Sequence, residues 1–88
     1  MQNSIFYIYL LRSQKDKKLY TGFTNNLNRR VQEHNSGLVA STKSRRPFEL
    51  IYLEGYKSEK DARDRERSLK LRSRALTQLN RRISDSLS

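Results

Sequence analysis

The stretch "KLYTGFTNNLNRRVQEHNSG", residues 18–37, holds the end of one element and the whole of the next. "LYTGF" has the aromatic and β-branched content of a short strand. "TNN" then offers an asparagine cap, "LNRRVQEHN" reads as a helix, and Gly37 can end it in the left-handed conformation. In that helix Leu27, Val31 and His34 follow an i, i+4, i+7 stripe, with Arg30 at i+3. Arg30 and His34 are therefore neighbours at the edge of the core-facing side, whereas Arg29 points elsewhere. Packing accounts for the leucine and the valine. It does not account for Tyr20 beside Gly22, for Arg30, or for the only histidine.

Upstream, "IFYIYLLR" (residues 5–12) is apolar on both alternating sets, which suits a strand covered on both faces. The polar turn "SQKDKK" joins it to "LYTGF" as a hairpin. Downstream, the basic loop "LVASTKSRR" stops at Pro47, and "FELIYLEGY" reads as a third strand. Ser58 followed by Asp61 resembles a capping box and opens a helix through "EKDARDRERSLK". Further helix is expected over about residues 73–82, with a bend near "RSR", and "SDSLS" should fray. There is no internal repeat and no dividing linker. The expectation is one α+β domain over residues 1–83 and a frayed tail at 84–88, with the order β-β-α-β-α-α and a small three-stranded sheet flanked by helices.

Eighty-eight residues, 34% hydrophobic and 32% charged, allow only a modest core. The absence of cysteine excludes a disulfide framework and a thiolate zinc site. No apolar run approaches the roughly 20 residues of a membrane span, and the N-terminus lacks a signal pattern, so a cytoplasmic protein is expected. Nineteen Lys and Arg against nine Asp and Glu give a net charge of +10, which favours a polyanionic partner, nucleic acid before an anionic membrane. From Arg67 to Arg82 every charged residue is basic. That one-sign run, with the basic loop, makes Lys43, Arg45, Arg46, Lys70, Arg72 and Arg74 candidate phosphate contacts.

The later helix also carries a polar group on its apolar line, for Ala62, Glu66 and Leu69 form an i, i+4, i+7 stripe. A carboxylate there is costly unless paired, either with Arg30 at the rim of the core or with a functional cation. Phosphodiester hydrolysis calls for a cation to neutralise phosphate charge, a base for water and help for the leaving oxygen. Glu66 can hold one Mg²⁺ with water completing the shell, Arg30 can grip phosphate oxygens, and a tyrosine in a basic pocket can serve as base.

These residues resemble a known family. "YIY" at 7–9 and "YTG" at 20–22 look like the paired elements of the GIY-YIG endonuclease superfamily. "NNLNRRVQEHNSG", "RRPFELIYLEGY" and "SEKDARDRERSLK" are similar in particular to its small stand-alone bacterial members, the UPF0213 group. Each motif is short; their order and spacing from about Phe6 to Arg74 carry the resemblance. It implies a divalent-metal-dependent nuclease site on one face of a three-stranded sheet. Tyr9 and Tyr20 match the two motif tyrosines, either of which could be the base. Arg30 matches the arginine at the scissile phosphate, Glu66 the metal ligand, and His34 a position near the active site. Tyr7 and Thr21 depart from the motif letters, and Phe23 stands where excision-repair relatives carry lysine. No clear match exists for the asparagine some members place beyond the glutamate, with Gln78 and Asn80 nearby.

The resulting expectation is an Mg²⁺- or Mn²⁺-dependent DNA endonuclease, in repair or recombination, with substrate choice open to a protein partner. The alternative is a nucleic-acid-binding module with the same fold and little or no activity.

Overall fold

The computed structural model describes residues 4–71 and 74–88. Strands β1 (Phe6–Ser13), β2 (Leu19–Thr24) and β3 (Phe48–Tyr56) form one antiparallel sheet in the order β2-β1-β3. Helix α1 (Leu27–Ser36) follows the hairpin, and a 3₁₀ turn at Lys43–Arg45 precedes β3. Helices α2 (Glu59–Lys70), α3 (Arg74–Arg82) and α4 (Ser84–Leu87) complete the chain. The fold is α+β, with the expected element order through α3.

Placing β1 at the centre explains its doubly apolar sequence. Ile8 and Leu10 face a core with Ala62 and Leu69 of α2 and Leu79 of α3, all at most 1% exposed. Tyr9 and Leu11 face the other way, onto Phe48, Leu27, Val31 and Leu50. Each aliphatic side chain buried this way contributes about 1.5–3 kcal/mol, so the two thin cores depend on this strand more than on any other.

Local chemistry fixes the ends. The Ser13 hydroxyl accepts from the backbone N–H groups of Lys15 and Asp16, both at 3.1 Å, and turns the hairpin. Asn26 accepts from the Arg29 N–H at the start of α1, and Ser58 from the Asp61 N–H at the start of α2. Gly37 takes φ 82°, and the Leu38 N–H reaches back to the Glu33 carbonyl at 3.0 Å, closing α1.

On the α2 side, Glu54 accepts from the Tyr52 and Tyr56 hydroxyls, each at 2.6 Å, and takes a two-pronged ion pair from Arg65 at 2.9 and 3.0 Å. Burial alone would raise the Glu54 carboxyl; Arg65 and the phenols outweigh it and hold it below its ordinary value. The cluster ties α2 to β3.

Ser84–Leu87 forms a turn of helix in the stretch expected to fray, and the Leu87 carbonyl accepts from the Arg12 guanidinium. The bend expected near "RSR" falls partly on Arg72 and Ser73, outside the described residues.

Candidate active site

On the α1 face of the sheet, Tyr9 stands directly opposite Gly22, and Tyr20 opposite Leu11. Both phenols therefore project to the side where α1 delivers Arg30 and His34. The pairing explains the glycine, for a Cβ at Gly22 would lie 2.2 Å from both Cζ and Oη of Tyr9. Only glycine lets the Tyr9 ring cross the edge strand.

The imidazole of His34, fully buried, packs edge-on against Tyr9, Tyr20 and Phe48, with the Tyr20 ring centroid 4.9 Å away. Its Nε2 lies 2.9 Å from Tyr9 Oη and its Nδ1 2.8 Å from Thr42 Oγ1. Burial, reinforced by the charge of Arg30 and opposed by that of Glu33, lowers the His34 pKa from 6.5, so the ring is neutral near pH 7. Tyr9 is only 1% exposed, and burial pushes its phenol up to about 12. The adjacent Arg30 guanidinium opposes that rise, while the charge of Glu66 adds to it. Arg30 makes its short bond to Glu33, at 3.0 Å. Tyr20 is partly exposed and is the phenol that solvent reaches.

Glu66 enters from α2, on the opposite side of the sheet edge. It does not pair with Arg30; Lys70 holds its Oε2 at 2.9 Å, and its side chain is 17% exposed. It lines a groove of about 280 Å³ with Arg63, Arg67, Lys70 and Leu71. An adjoining hollow of about 240 Å³ is lined by Tyr20, Thr21, Leu19, Leu69, Lys70 and Leu76. Lys70 belongs to both, so Tyr20 and Glu66 flank one lysine. The geometry thus unites Tyr9, Tyr20, Arg30 and His34, and sets Glu66 beside them without direct contact. Among the described residues no three His, Cys, Asp or Glu side chains cluster as a closed metal cage. A single carboxylate in an open groove fits a hard, water-rich cation such as Mg²⁺, and does not fit a zinc-type site.

Comparisons with known proteins bear on the family and the fold. Residues 5–82 match the family model described as the GIY-YIG catalytic domain. The chain belongs to the GIY-YIG family. Among its relatives, a UPF0213 protein of Syntrophus aciditrophicus is 48% identical over 71 residues, covering 78% of this chain and 80% of that protein. UPF0213 protein CPE1444 of Clostridium perfringens is 43% identical over 65 residues, 73% of this chain and 69% of the relative. The solution NMR structure of UPF0213 protein BH0048 from Bacillus halodurans superposes with a TM-score of 0.54 at 32% identity, covering 85% of this chain and 80% of that one.

The positions that depart from the family motifs lie as follows. Phe23 turns to the α2 side, stacks on Phe6 and carries the Arg63 guanidinium 4.1 Å above its ring centroid, so an arginine from α2 sits over this aromatic. Gln78 is exposed, whereas the Oδ1 of half-buried Asn80 has no hydrogen-bond partner among the described residues.

The basic candidates divide. Lys43, Arg46 and Arg74 are exposed, and Lys43 and Arg46 line a groove of about 420 Å³ with Lys15, Asn35, Ser44 and Pro47. Arg45 is half-buried: its Nε donates to Asp16 at 2.7 Å and its guanidinium covers Phe48. Lys70 is paired with Glu66, and Arg72 lies outside the described residues. Two side chains escaped sequence reasoning. Lys15 was lost in a hairpin turn, and Thr42, fully buried, sits in a loop with no periodic signal.

Proposed function

We propose that this GIY-YIG protein is an endonuclease that hydrolyses DNA phosphodiester bonds with a divalent cation, Mg²⁺ or Mn²⁺. One observation carries the reading: two phenols, a guanidinium and a neutral imidazole converge at one sheet edge, with the Glu66 carboxylate across Lys70 from Tyr20. Family membership supports nuclease-type chemistry, and the +10 charge supports a polyanionic partner. No helix among the described residues is long and apolar enough to cross a membrane.

A base must touch the water it activates. That assigns the role to partly exposed Tyr20 and leaves Tyr9, beneath it, to hold its neighbours. Once its own proton has gone to solvent, the Tyr20 phenolate takes a proton from the water as the water oxygen bonds to phosphorus; the ester oxygen leaves with its bonding electrons and is protonated from solvent. Arg30 exchanges Glu33 for the non-bridging phosphate oxygens, a trade its planar fork favours. Glu66, with water, would hold the cation, whose chemistry when bound is charge neutralisation at the phosphate. Lys43 and Arg46 extend the contact along the backbone.

A binding module with little activity is the second reading, favoured by the ammonium of Lys70 on Glu66. A panel of labelled DNA structures and RNA, incubated with Mg²⁺ or Mn²⁺ beside Glu66→Ala protein, decides between them. Metal-dependent cleavage by the wild type alone is the expected result. Cleavage by neither protein would leave the binding module.

A further inference from the structure

His34 is the only histidine of the chain, and both its ring nitrogens are used inside the protein. Nε2 faces Tyr9 Oη at 2.9 Å and Nδ1 faces Thr42 Oγ1 at 2.8 Å; the three residues are at most 1% exposed. A neutral imidazole has one N–H and one bare nitrogen, so the direction of these bonds is a matter of chemistry. The far end points to one choice. The Thr42 hydroxyl lies 3.4 Å from the Val39 carbonyl, which can only accept. A Thr42 hydroxyl that donates to Val39 has only its oxygen to offer His34, and so accepts from Nδ1–H. His34 Nε2 is then bare and accepts from the Tyr9 hydroxyl. With its hydrogen spent on His34, the Tyr9 oxygen presents only lone pairs to the neighbouring Arg30 guanidinium.

We propose that Thr42 is a positioning residue: it fixes His34 as the Nδ1–H tautomer and so keeps the Tyr9 oxygen an acceptor for Arg30. The loop between α1 and β3 thereby controls the orientation of a phosphate-gripping arginine it does not touch. A flipped tautomer would aim Nε2–H at Tyr9 Oη and force the phenol hydrogen toward the guanidinium, donor against donor. The consequence for catalysis rests on the nuclease reading above; the tautomer itself does not.

The test uses ¹⁵N-labelled full-length protein and long-range ¹H–¹⁵N correlation of its single imidazole. Wild type is expected to show protonated Nδ1 and bare Nε2. Thr42→Val, which keeps the shape and removes the hydroxyl, should lose that pattern and drop the cleavage rate at saturating DNA roughly tenfold, with KM within about twofold. Thr42→Ser should restore both. A wild-type Nε2–H tautomer, or a Thr42→Val protein with the wild-type spectrum and rate, overturns the inference and leaves the nuclease reading standing. Should the valine variant not fold, the wild-type and serine spectra still decide the tautomer. Wild type that cleaves no substrate removes the nuclease reading, and the spectra then judge the inference alone.

Discussion

The Tyr9 ring crosses the backbone of Gly22 on the neighbouring strand with no room for a side chain between them. Two motifs met separately in the sequence are one contact in space: the glycine of the second is the seat for the tyrosine of the first. Gly22→Ala would place a methyl 2.2 Å from Cζ and Oη, so the ring must leave its bond with His34 or the strands must part. The expected outcome is overpacking of about 1–3 kcal/mol, read by urea unfolding, with a loss of cleavage larger than that destabilisation explains. Unchanged activity in a folded Gly22→Ala protein would show that Tyr9 need not sit where it does.

On the proposed nuclease reading, Lys70 and a divalent cation would compete for the same oxygen. The ammonium stands 2.9 Å from Glu66 Oε2, with Arg63 and Arg67 on the same groove. Removing it by Lys70→Ala should tighten Mn²⁺ binding to the free protein by at least about threefold, measured by electron paramagnetic resonance, since the ion no longer has to displace a partner. Glu66→Ala should abolish that binding while DNA affinity holds or rises, because a negative charge leaves a basic face. Identical Mn²⁺ titrations for wild type and both variants would place the metal elsewhere.

Acid should loosen the fold through His34 before any carboxylate matters. His34 is buried against Tyr9 of β1, Tyr20 of β2, Phe48 of β3 and Thr42, with Arg30 and Glu33 the charged groups of its own helix that act on it. Burial and Arg30 hold its pKa below the 6.5 of an open chain. As pH falls through about 6.5 the unfolded chain takes up a proton and the folded one does not, so unfolding becomes easier. Glu54 and Asp16 act lower: both carboxyls are held below their ordinary values, Asp16 at about 2 by the Arg45 guanidinium, so their contributions are lost only in stronger acid. Urea midpoints should fall between pH 7.5 and 5.5 in wild type and stay level in His34→Gln. A level wild-type profile would mean that the imidazole charges without cost.

Most of the fold could be read because its signals are local. Asn26, Gly37 and Ser58 act on backbone groups within three or four residues, and the doubly apolar β1 announces a central strand by itself. The candidate site was legible only as a set of residue types. Which partner Glu66 takes depends on a helical turn: Lys70, one turn along α2, wins over Arg30 on a separate element, and Arg30 settles on Glu33 by the same proximity. Which tyrosine meets solvent depends on strand pairing, since Tyr9 is buried by its central position and Tyr20 spared by the edge. Thr42 left no trace, because one hydroxyl in an irregular loop has no spacing to betray it. The helical turn at Ser84–Leu87 meets a guanidinium more than seventy residues away in sequence.

The charges on the loop before β3 differ in the partners they already have. Arg45 spends its guanidinium on Asp16 at 2.7 Å and on the Phe48 ring, so a phosphate could win it only by breaking the hairpin's tie to the loop. Lys43 and Arg46 face an open groove with Lys15, and nothing acidic lines it. In fluorescence titrations across a salt series, Lys15→Ala, Lys43→Ala and Arg46→Ala should each weaken DNA binding and reduce the slope of log affinity against log salt by about one. Arg45→Ala should lower the urea midpoint and leave that slope nearly unchanged. If Arg45→Ala reduces the slope as much as Arg46→Ala does, the Asp16 pair opens to the phosphate backbone when DNA binds, and the groove extends along β2.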